Sequence, residues 1–291
     1  MVCKDSEVTK HSNDDAFDVS DLIWFVQSRC GIDLSRYRPS CIRRRVSHRL
    51  SMLGCPSLES YASYLNEHPD EVEELLNVVT IHVTGFFRDR DVYNALTETI
   101  FPEIIQKKRS AHDRFIRIWS AGCSTGEETY SSTIALIHLL REQKDDYRVE
   151  VYGTDISEES CRTARRGRYA GDRVTGIPRT MLKQYFEIDG SGYRVAPEIK
   201  HHVKFAVHDL FSESPFSMLD LIICRNVLIH FEHEVRGHVL ANFHRSLSDD
   251  GFLVLGKSEA MSGPALGLFE LVEPRSKIYR KRVLCVCSRE E

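Results

Sequence analysis

The segment Trp119–Glu128 constrains the fold more than any other part of this chain, and it reads Trp-Ser-Ala-Gly-Cys-Ser-Thr-Gly-Glu-Glu. An alternating apolar run, Phe115–Ile118, precedes it, and a run with apolar residues at helical spacing, Tyr130–Leu140, follows it. The segment is therefore predicted to form a glycine-bearing turn between a strand and a helix. Such a turn lets a ligand approach bare backbone amides at the start of the helix.

The residues after this turn do not suit a phosphate ligand. Two adjacent carboxylates, Glu127 and Glu128, follow Gly122 and Gly126, and a Walker loop carries a lysine where this chain has Glu127. Acidic side chains here suit a ligand that has a cationic end and hydroxyl groups. S-adenosylmethionine has both, so the turn predicts a binding site for this methyl donor.

The chain from residue 115 onward alternates between strand-like and helical segments. The helical segments between the strands are predicted at 130–140, 157–166 and 232–247. This alternation predicts an α/β fold with a mainly parallel sheet and helices on both faces. The predicted strands are Phe115–Trp119, Val149–Thr154, Val203–His208, Leu219–Cys224 and Phe252–Gly256.

Two further segments of the α/β region have their own predictions. Residues 167–202 are rich in glycine, proline and other turn residues, which indicates a small antiparallel insertion on the sheet. The alternating run Ser276–Arg282 is predicted to be a closing edge strand.

The first part of the chain is predicted to be an all-α domain over residues 16–80. One helix begins near Ser20 and stops at Gly31, and a second spans Pro39–Leu53 and stops at Gly54. Shorter helices are expected around residues 58–65 and 72–79. A linker with its own helix is expected at 81–114, and the α/β domain at 115–291.

Composition limits the class of protein and its surroundings. The net charge of -4 gives no overall attraction to nucleic acid or to a membrane surface. Apolar runs such as Leu219–Cys224 are too short to cross a bilayer, and the first residues are polar, without a hydrophobic signal core. The nine cysteines are scattered and include no C-x-x-C pair, which favours reduced thiols. We therefore expect a cytoplasmic protein that does not insert into membranes. A monomer is the expected state, although the sequence leaves oligomerisation open.

Polar residues follow the ends of the predicted strands, where ligands bind in open α/β sheets. Asp155 ends the second strand and can accept hydrogen bonds from both hydroxyls of a ribose, although it could also cap the next helix together with Ser157. Asp209 and Leu210 follow the third strand, where an adenine edge is expected. The fourth strand ends at Cys224-Arg225-Asn226.

Three strings make a specific resemblance: Ser-x-Gly-Cys-Ser-Thr-Gly-Glu-Glu-x-Tyr-Ser at 120–131, Thr-x-Phe-Phe-Arg-Asp at 84–89, and Cys-Arg-Asn-Val-Leu-Ile-x-Phe at 224–231. Together they resemble the chemotaxis-receptor protein-glutamate O-methyltransferases, the CheR family. The resemblance runs from about Ser20 to Arg282. It implies a Rossmann-like class I S-adenosylmethionine-dependent methyltransferase domain with a small antiparallel β-subdomain at about 167–202, preceded by an all-α N-terminal domain.

The resemblance also implies roles for individual residues. His230 and Arg225 are assigned to catalysis beside the methyl group. In this family an asparagine usually stands at the position of His82 and a tyrosine at that of His230. Of the two adjacent glutamates, Glu127 is preferred to Glu128 as the residue that holds the amino-acid end of the cofactor. The implied cofactor-binding residues are His82, Thr84, Arg88, Gly122, Glu127, Asp155, Asp209, Leu210, Arg225 and Asn226.

The second predicted helix has one strongly basic face, with Arg43, Arg44, Arg45, His48 and Arg49. Such a face is most often simply solvated, and nucleic-acid binding is disfavoured because few aromatic residues accompany it and the chain is acidic. The family resemblance implies a third role, in which Arg43, Arg44, Arg45 and Arg49 dock on the acidic methylation helices of a chemoreceptor's cytoplasmic bundle.

The function implied is the formation of γ-carboxylate methyl esters on receptor glutamates, with S-adenosylhomocysteine as the product. Because a glutamate carboxylate is ionised at pH 7, no general base is required. No metal is expected, since His230, His233 and His238 lack a carboxylate partner and a common helical face. Two alternatives stay open: methylation of another protein or a small carboxylate, and a non-catalytic signalling adaptor that binds S-adenosylmethionine.

Overall fold

The computed structural model describes residues 18–30, 32–79, 84–261 and 263–283, and the chain divides into two compact units between Val79 and Thr80. The first unit is helical, as predicted. Gly31, the expected stop of its first helix, lies outside the described residues. The helices of this unit are α1 (Val19–Cys30), α2 (Pro39–Leu53), α3 (Leu58–Glu67) and α4 (Glu71–Val79).

The second helix, α2, has the bounds that its sequence predicts. Pro39 occupies its first turn, where a missing N–H group costs nothing, and Gly54 follows its last residue in the left-handed region at φ 70°. Its apolar stripe buries Ile42 and Val46 in the core of the helical unit, to which α3 contributes Tyr61 and Leu65.

A buried ion pair connects α2 to α4. The Arg49 guanidinium donates two hydrogen bonds of 2.6 Å to the two carboxylate oxygens of Glu71, which is 6% exposed. The Tyr61 hydroxyl donates a third, 2.9 Å, to the same carboxylate. A bidentate pair of this kind fixes the separation and the rotation of the two helices.

The second unit carries the sheet. A π-helical turn, Leu96–Ile100, joins its first two helices. The elements are α5 (Arg90–Ala95), α6 (Phe101–Ser110), β1 (Phe115–Ala121), α7 (Glu127–Gln143), β2 (Arg148–Asp155), α8 (Glu158–Arg166), β3 (Arg168–Ala170), α9 (Arg179–Tyr185), β4 (Phe186–Asp189), β5 (Gly192–Val195), α10 (Pro197–His201), β6 (Val203–Val207), β7 (Leu219–Cys224), α11 (His233–Ser246), β8 (Leu247–Leu255), β9 (Phe269–Glu273) and β10 (Ile278–Lys281).

Seven strands form the main sheet in the order β6-β2-β1-β7-β8-β10-β9. The first five are parallel, and β10 is antiparallel to both of its neighbours. The chain moves outward from β1 to β2 and β6 and then returns to the other side of β1 with β7. The switch in strand order therefore lies between the carboxyl ends of β1 and β7, which is where ligands bind in such sheets.

The predicted fold class is confirmed, including the antiparallel insertion, which is the three-stranded sheet β3-β5-β4. The prediction that the run 276–282 forms an edge strand is wrong in its position. β10 lies between β8 and β9, and β9 is the edge. The sequence gives no strand prediction for Phe269–Glu273, and two of its five residues are glutamates. Among the described residues, no helix has the length and apolar character needed to cross a bilayer.

Arg49→Met tests the ion pair of the helical unit. The substitution leaves the Glu71 carboxylate buried without its cation, so we expect α2 and α4 to lose about 3 kcal/mol of stability. Hydrogen exchange followed by mass spectrometry should show their amides exchanging about 100-fold faster. Arg36→Met, which removes the more exposed Arg36–Asp33 pair, is the control, and equal effects of the two changes would contradict the argument.

Candidate active site

The turn after β1 is hydrogen-bonded to the end of β2. The amides of Gly122 and Cys123 both donate to the Thr154 carbonyl at 2.8 Å, and the Ser124 amide donates to Asp155 Oδ2 at 2.8 Å. The other oxygen, Oδ1, accepts from the Ser157 amide at 3.0 Å. The N-cap of α8 is Ser157, whose hydroxyl accepts from the Ser160 amide at 3.1 Å, so Asp155 holds the backbone of the capping residue. The carboxylate is 8% exposed, and each oxygen keeps a lone pair for a further donor.

The glycines of the turn are required by packing as well as by conformation. Gly122 has φ +72°, and a Cβ there would stand 2.5 Å from a methyl carbon of Val227, in the segment after β7. Gly126 has φ +93°, and its Cβ would stand 2.8 Å from that of Ala164 on α8. The first glycine thus allows the loops after β1 and β7 to meet at the switch in strand order.

Arg225, the first residue after β7, is the centre of a buried charge network. One guanidinium nitrogen, Nη1, donates to Glu128 at 2.8 Å and to the Arg88 carbonyl at 3.2 Å, and Nη2 is paired with Asp89. The Arg225 side chain is 1% exposed. Burial raises the pKa of Glu128 in spite of the nearby Arg225, which acts in the opposite direction. The network ties the linker and α7 to the end of β7.

Glu127 has different partners from its neighbour Glu128. Its side chain is fully buried, accepts a 2.6 Å hydrogen bond from the Thr125 hydroxyl, and is paired with Arg173, which follows β3 in the inserted subdomain. The Tyr169 hydroxyl, also from the subdomain, donates to the Thr125 carbonyl at 2.7 Å. The carboxylate expected to hold the amino-acid end of the donor therefore also connects the turn to the insertion.

The other strand ends place their residues as follows. Asp209 accepts a hydrogen bond from the Phe211 amide at 3.0 Å, and Leu210 is buried. Asn226 is half-buried and has φ 61°, and His230 ends the short 3-10 helix Leu228–His230. His233 and His238 are exposed on α11.

The linker string is anchored by its aromatic residues. The Phe86 ring makes edge contacts with Tyr169 and Phe186 of the subdomain, at centroid distances of 4.9 and 5.2 Å. The Phe87 amide donates to the Ser131 hydroxyl of α7 at 2.9 Å. Thr84, which precedes the two phenylalanines, is half-buried, and Arg88, which follows them, is exposed. His82 lies outside the described residues.

Comparison with known families identifies the two parts of the chain. Residues 82–278 match the model described as CheR methyltransferase, SAM binding domain, and residues 18–80 match the one described as CheR methyltransferase, all-alpha domain. The chain belongs to the CheR methyltransferase family. The predicted family, enzyme class and cofactor, S-adenosylmethionine, are thereby confirmed.

Individual relatives agree with this family. A putative methyltransferase Cher3 from Pseudomonas putida is 33% identical over 94% of this chain and 100% of its own length. A chemotaxis protein methyltransferase from Borreliella burgdorferi is 32% identical over 84% of this chain and 89% of its own. An uncharacterized 104.1 kDa protein from Rhodobacter capsulatus is 32% identical over 77% of this chain, which spans 23% of that larger protein.

The groups at the switch in strand order fit S-adenosylmethionine. Asp155 offers the acceptor sites that a ribose diol needs. The Nε–H group of Arg225 is buried and makes no hydrogen bond within the described part of the chain, so a donor is available for the carboxylate of the methionine end. Leu210 and Phe211, both 8% exposed, provide apolar surface for a base. Among the described residues, no three His, Cys, Asp or Glu side chains cluster as metal ligands.

Two residues of this site were missing from the sequence analysis. Asp89 is the last residue of the linker string at 84–89, so the resemblance does include it. The string gives no indication that Asp89 pairs with Arg225. Arg173 lies in the turn-rich insertion and gave no signal, since its pairing with Glu127 depends on how the subdomain folds back.

The basic face of α2 also differs from the expected docking surface. Arg43, Arg44 and His48 are exposed. Arg45, in contrast, donates to the Val78 carbonyl, and Arg49 is held by Glu71. Two of the four arginines expected to dock thus have partners within the helical unit, because they lie on the side of α2 that faces α4.

Arg225→Met tests the buried charge network. Removing the cation leaves the buried Glu128 carboxylate without its ion-pair partner, whereas Asp89 keeps Lys257 at 3.7 Å. We therefore expect the free energy of unfolding of the second unit to fall by about 3 kcal/mol. Urea unfolding in a Trp24→Phe background can be followed by the fluorescence of Trp119, which is 1% exposed. Arg280→Met, which removes the half-exposed Arg280–Glu103 pair, should cost less than about 1 kcal/mol. An equally small loss for Arg225→Met would contradict the assignment.

Proposed function

We propose that this protein transfers the methyl group of S-adenosylmethionine to glutamate γ-carboxylates on the cytoplasmic helices of methyl-accepting chemotaxis receptors. One observation carries the proposal. In a chain of this family, the Asp155 carboxylate and the anchored linker both lie at the switch in strand order. The name of the Borreliella burgdorferi relative supports a role in chemotaxis.

The organisation that we propose keeps the predicted bounds: a helical domain at 16–80, a linker at 81–114, and a methyltransferase domain at 115–291 with its insertion at about 167–202. We propose that the protein acts as a cytoplasmic monomer.

When bound, S-adenosylmethionine supplies an activated methyl group on a sulfonium. The work of the chain is then to bind and to orient. Asp155 holds the ribose, Asp209 and Leu210 contact the adenine, and the linker residues His82, Thr84 and Arg88 cover the methionine end. Since the accepting carboxylate is already ionised, rate enhancement comes from holding the reacting groups in line and from excluding water.

Residues after β7 line the wall beside the methyl group in this proposal. Asn226 and His230 face it, and His230 orients the accepting carboxylate by donating a hydrogen bond. Arg225 holds this wall against the linker through Asp89 and Glu128, and it contributes to cofactor binding through its unpartnered Nε–H group.

The direct test is a tritiated-methyl transfer assay with receptor-rich membranes, in which methyl esters are scored as base-labile label. Labelling by the wild type that is lost in His230→Ala supports the proposal. Tight binding of S-adenosylhomocysteine without labelling of any receptor would instead favour the non-catalytic adaptor. Label that appears only on soluble proteins or small carboxylates would favour the other substrates.

Asp155→Asn tests the ribose contact. The amide keeps one acceptor oxygen and loses the charge, and a hydrogen bond to a charged group contributes about 1.5–3 kcal/mol, so we expect S-adenosylhomocysteine to bind about 10- to 100-fold more weakly. Titration calorimetry measures the dissociation constant. The exposed Asp172→Asn is the control for the same chemical change, and an unchanged constant for Asp155→Asn would remove the cofactor site from this strand end.

Arg43→Ala combined with Arg44→Ala tests the docking face of α2. Losing two exposed cations should lower kcat/KM for receptor methylation about tenfold at low salt, with the difference shrinking as salt screens the interaction. The affinity for S-adenosylhomocysteine should not change. The control is Arg162→Ala combined with Arg166→Ala, which removes the same charge from the exposed surface of α8. An equal fall in kcat/KM for this control would mean that the net charge, and not the α2 face, determines the effect.

A further inference from the structure

Glu259 follows β8 and holds the segment after β7 with its carboxylate. One oxygen, Oε2, accepts from the Gly256 amide at 2.5 Å and the Asn226 amide at 3.0 Å. The other, Oε1, accepts from the amides of Val227 at 2.9 Å and Ile229 at 3.2 Å. A single side chain thus binds four backbone N–H groups from two loops.

This carboxylate is buried and is stabilised by backbone dipoles. Glu259 is 4% exposed, and no Lys, Arg or His of residues 84–261 and 263–283 forms an ion pair with it. Its charge is near enough to Glu128 and to Cys224 to raise the pKa of each, with burial the larger cause. An uncompensated buried charge is costly, and the converging N–H groups offset that cost.

The surrounding backbone is shaped to let the two loops meet at this carboxylate. A Cβ on Gly256 would stand 2.8 Å from the Asn226 nitrogen and 2.7 Å from Glu259 Oε2, so this position accepts only glycine without movement. Asn226 itself has φ 61°, a left-handed conformation that asparagine adopts more readily than most residues with a side chain. Its amide then points at Glu259, to which it donates at 3.0 Å.

We propose that Glu259 is a positioning residue for methyl transfer, which fixes the segment 225–230 and so places Asn226 and His230 beside the methyl group. The inference rests on the function proposed above. In this proposal Glu259 does not contact the reacting atoms. Its influence passes through the backbone amides that it holds, and small displacements of positioning groups reduce turnover strongly.

Glu259→Gln is the main test, because glutamine keeps the size of the side chain but presents an NH2 group where an acceptor stood. We expect kcat for receptor methylation to fall at least about tenfold, while the dissociation constant of S-adenosylhomocysteine changes less than about threefold. Hydrogen exchange should become faster in peptides covering 225–230 and stay unchanged in β1 and β2. Glu270→Gln makes the same change on the exposed side of β9 and should alter none of these quantities.

The outcomes separate positioning from a structural role. A kcat within twofold of the wild type, or unchanged exchange over 225–230, overturns the inference. Glu259→Asp keeps the charge but not the reach, and intermediate turnover in this variant supports the inference. If neither variant folds, the carboxylate is a requirement of the fold and the positioning role is overturned. Failure of the wild type to label receptors contradicts the proposed function alone, and the exchange measurement then decides whether Glu259 holds this segment.

Discussion

The buried guanidinium of Arg225 is the interaction on which the arrangement of the active site depends. Its nitrogens reach the linker through Asp89 and the Arg88 carbonyl, and they reach the start of α7 through Glu128. In a low-dielectric interior the Arg225 cation and the buried Glu128 carboxylate hold each other strongly, and either charge alone would be costly. Asp89 is more exposed and also has Lys257 at 3.7 Å. Arg225 therefore joins the linker, the start of α7 and the end of β7, which is where we propose that the methyl donor binds.

Much of this fold could be predicted from sequence because the relevant signals are local. Apolar alternation predicts the parallel strands. The rule that ligands bind at strand ends selects Asp155 as a candidate, and the structure places its carboxylate against the turn after β1. The bounds of α2 followed from Pro39 and Gly54. The partners of the charged residues could not be predicted, because Arg225 and Asp89 are 136 positions apart and only the folded sheet brings them together.

Errors arose where a short pattern had to be placed in space. The alternation in 276–282 predicts a strand but carries no information about its neighbours in the sheet. The sequence therefore cannot show that β9 pairs with β10 and takes the edge position. The glycines of the turn show a related limit. Gly122 predicts close approach of a ligand to the backbone, and in the structure the space that a Cβ would need is taken by a methyl group of Val227, from the loop after β7. A glycine in a sequence indicates that a side chain would not fit at that position, but it does not indicate which group occupies the space.

The division of charge on α2 has a consequence for how such enzymes diversify. Arg45 and Arg49 are committed to the interior of the helical unit, so selection that alters them also alters stability. Arg43 and Arg44 carry no such burden, and their replacement changes the outer surface while the helix packing stays intact. In the proposed docking role of α2, specificity for one binding partner over another can therefore drift along a few outward positions of a single helix, while the methyltransferase domain stays unchanged.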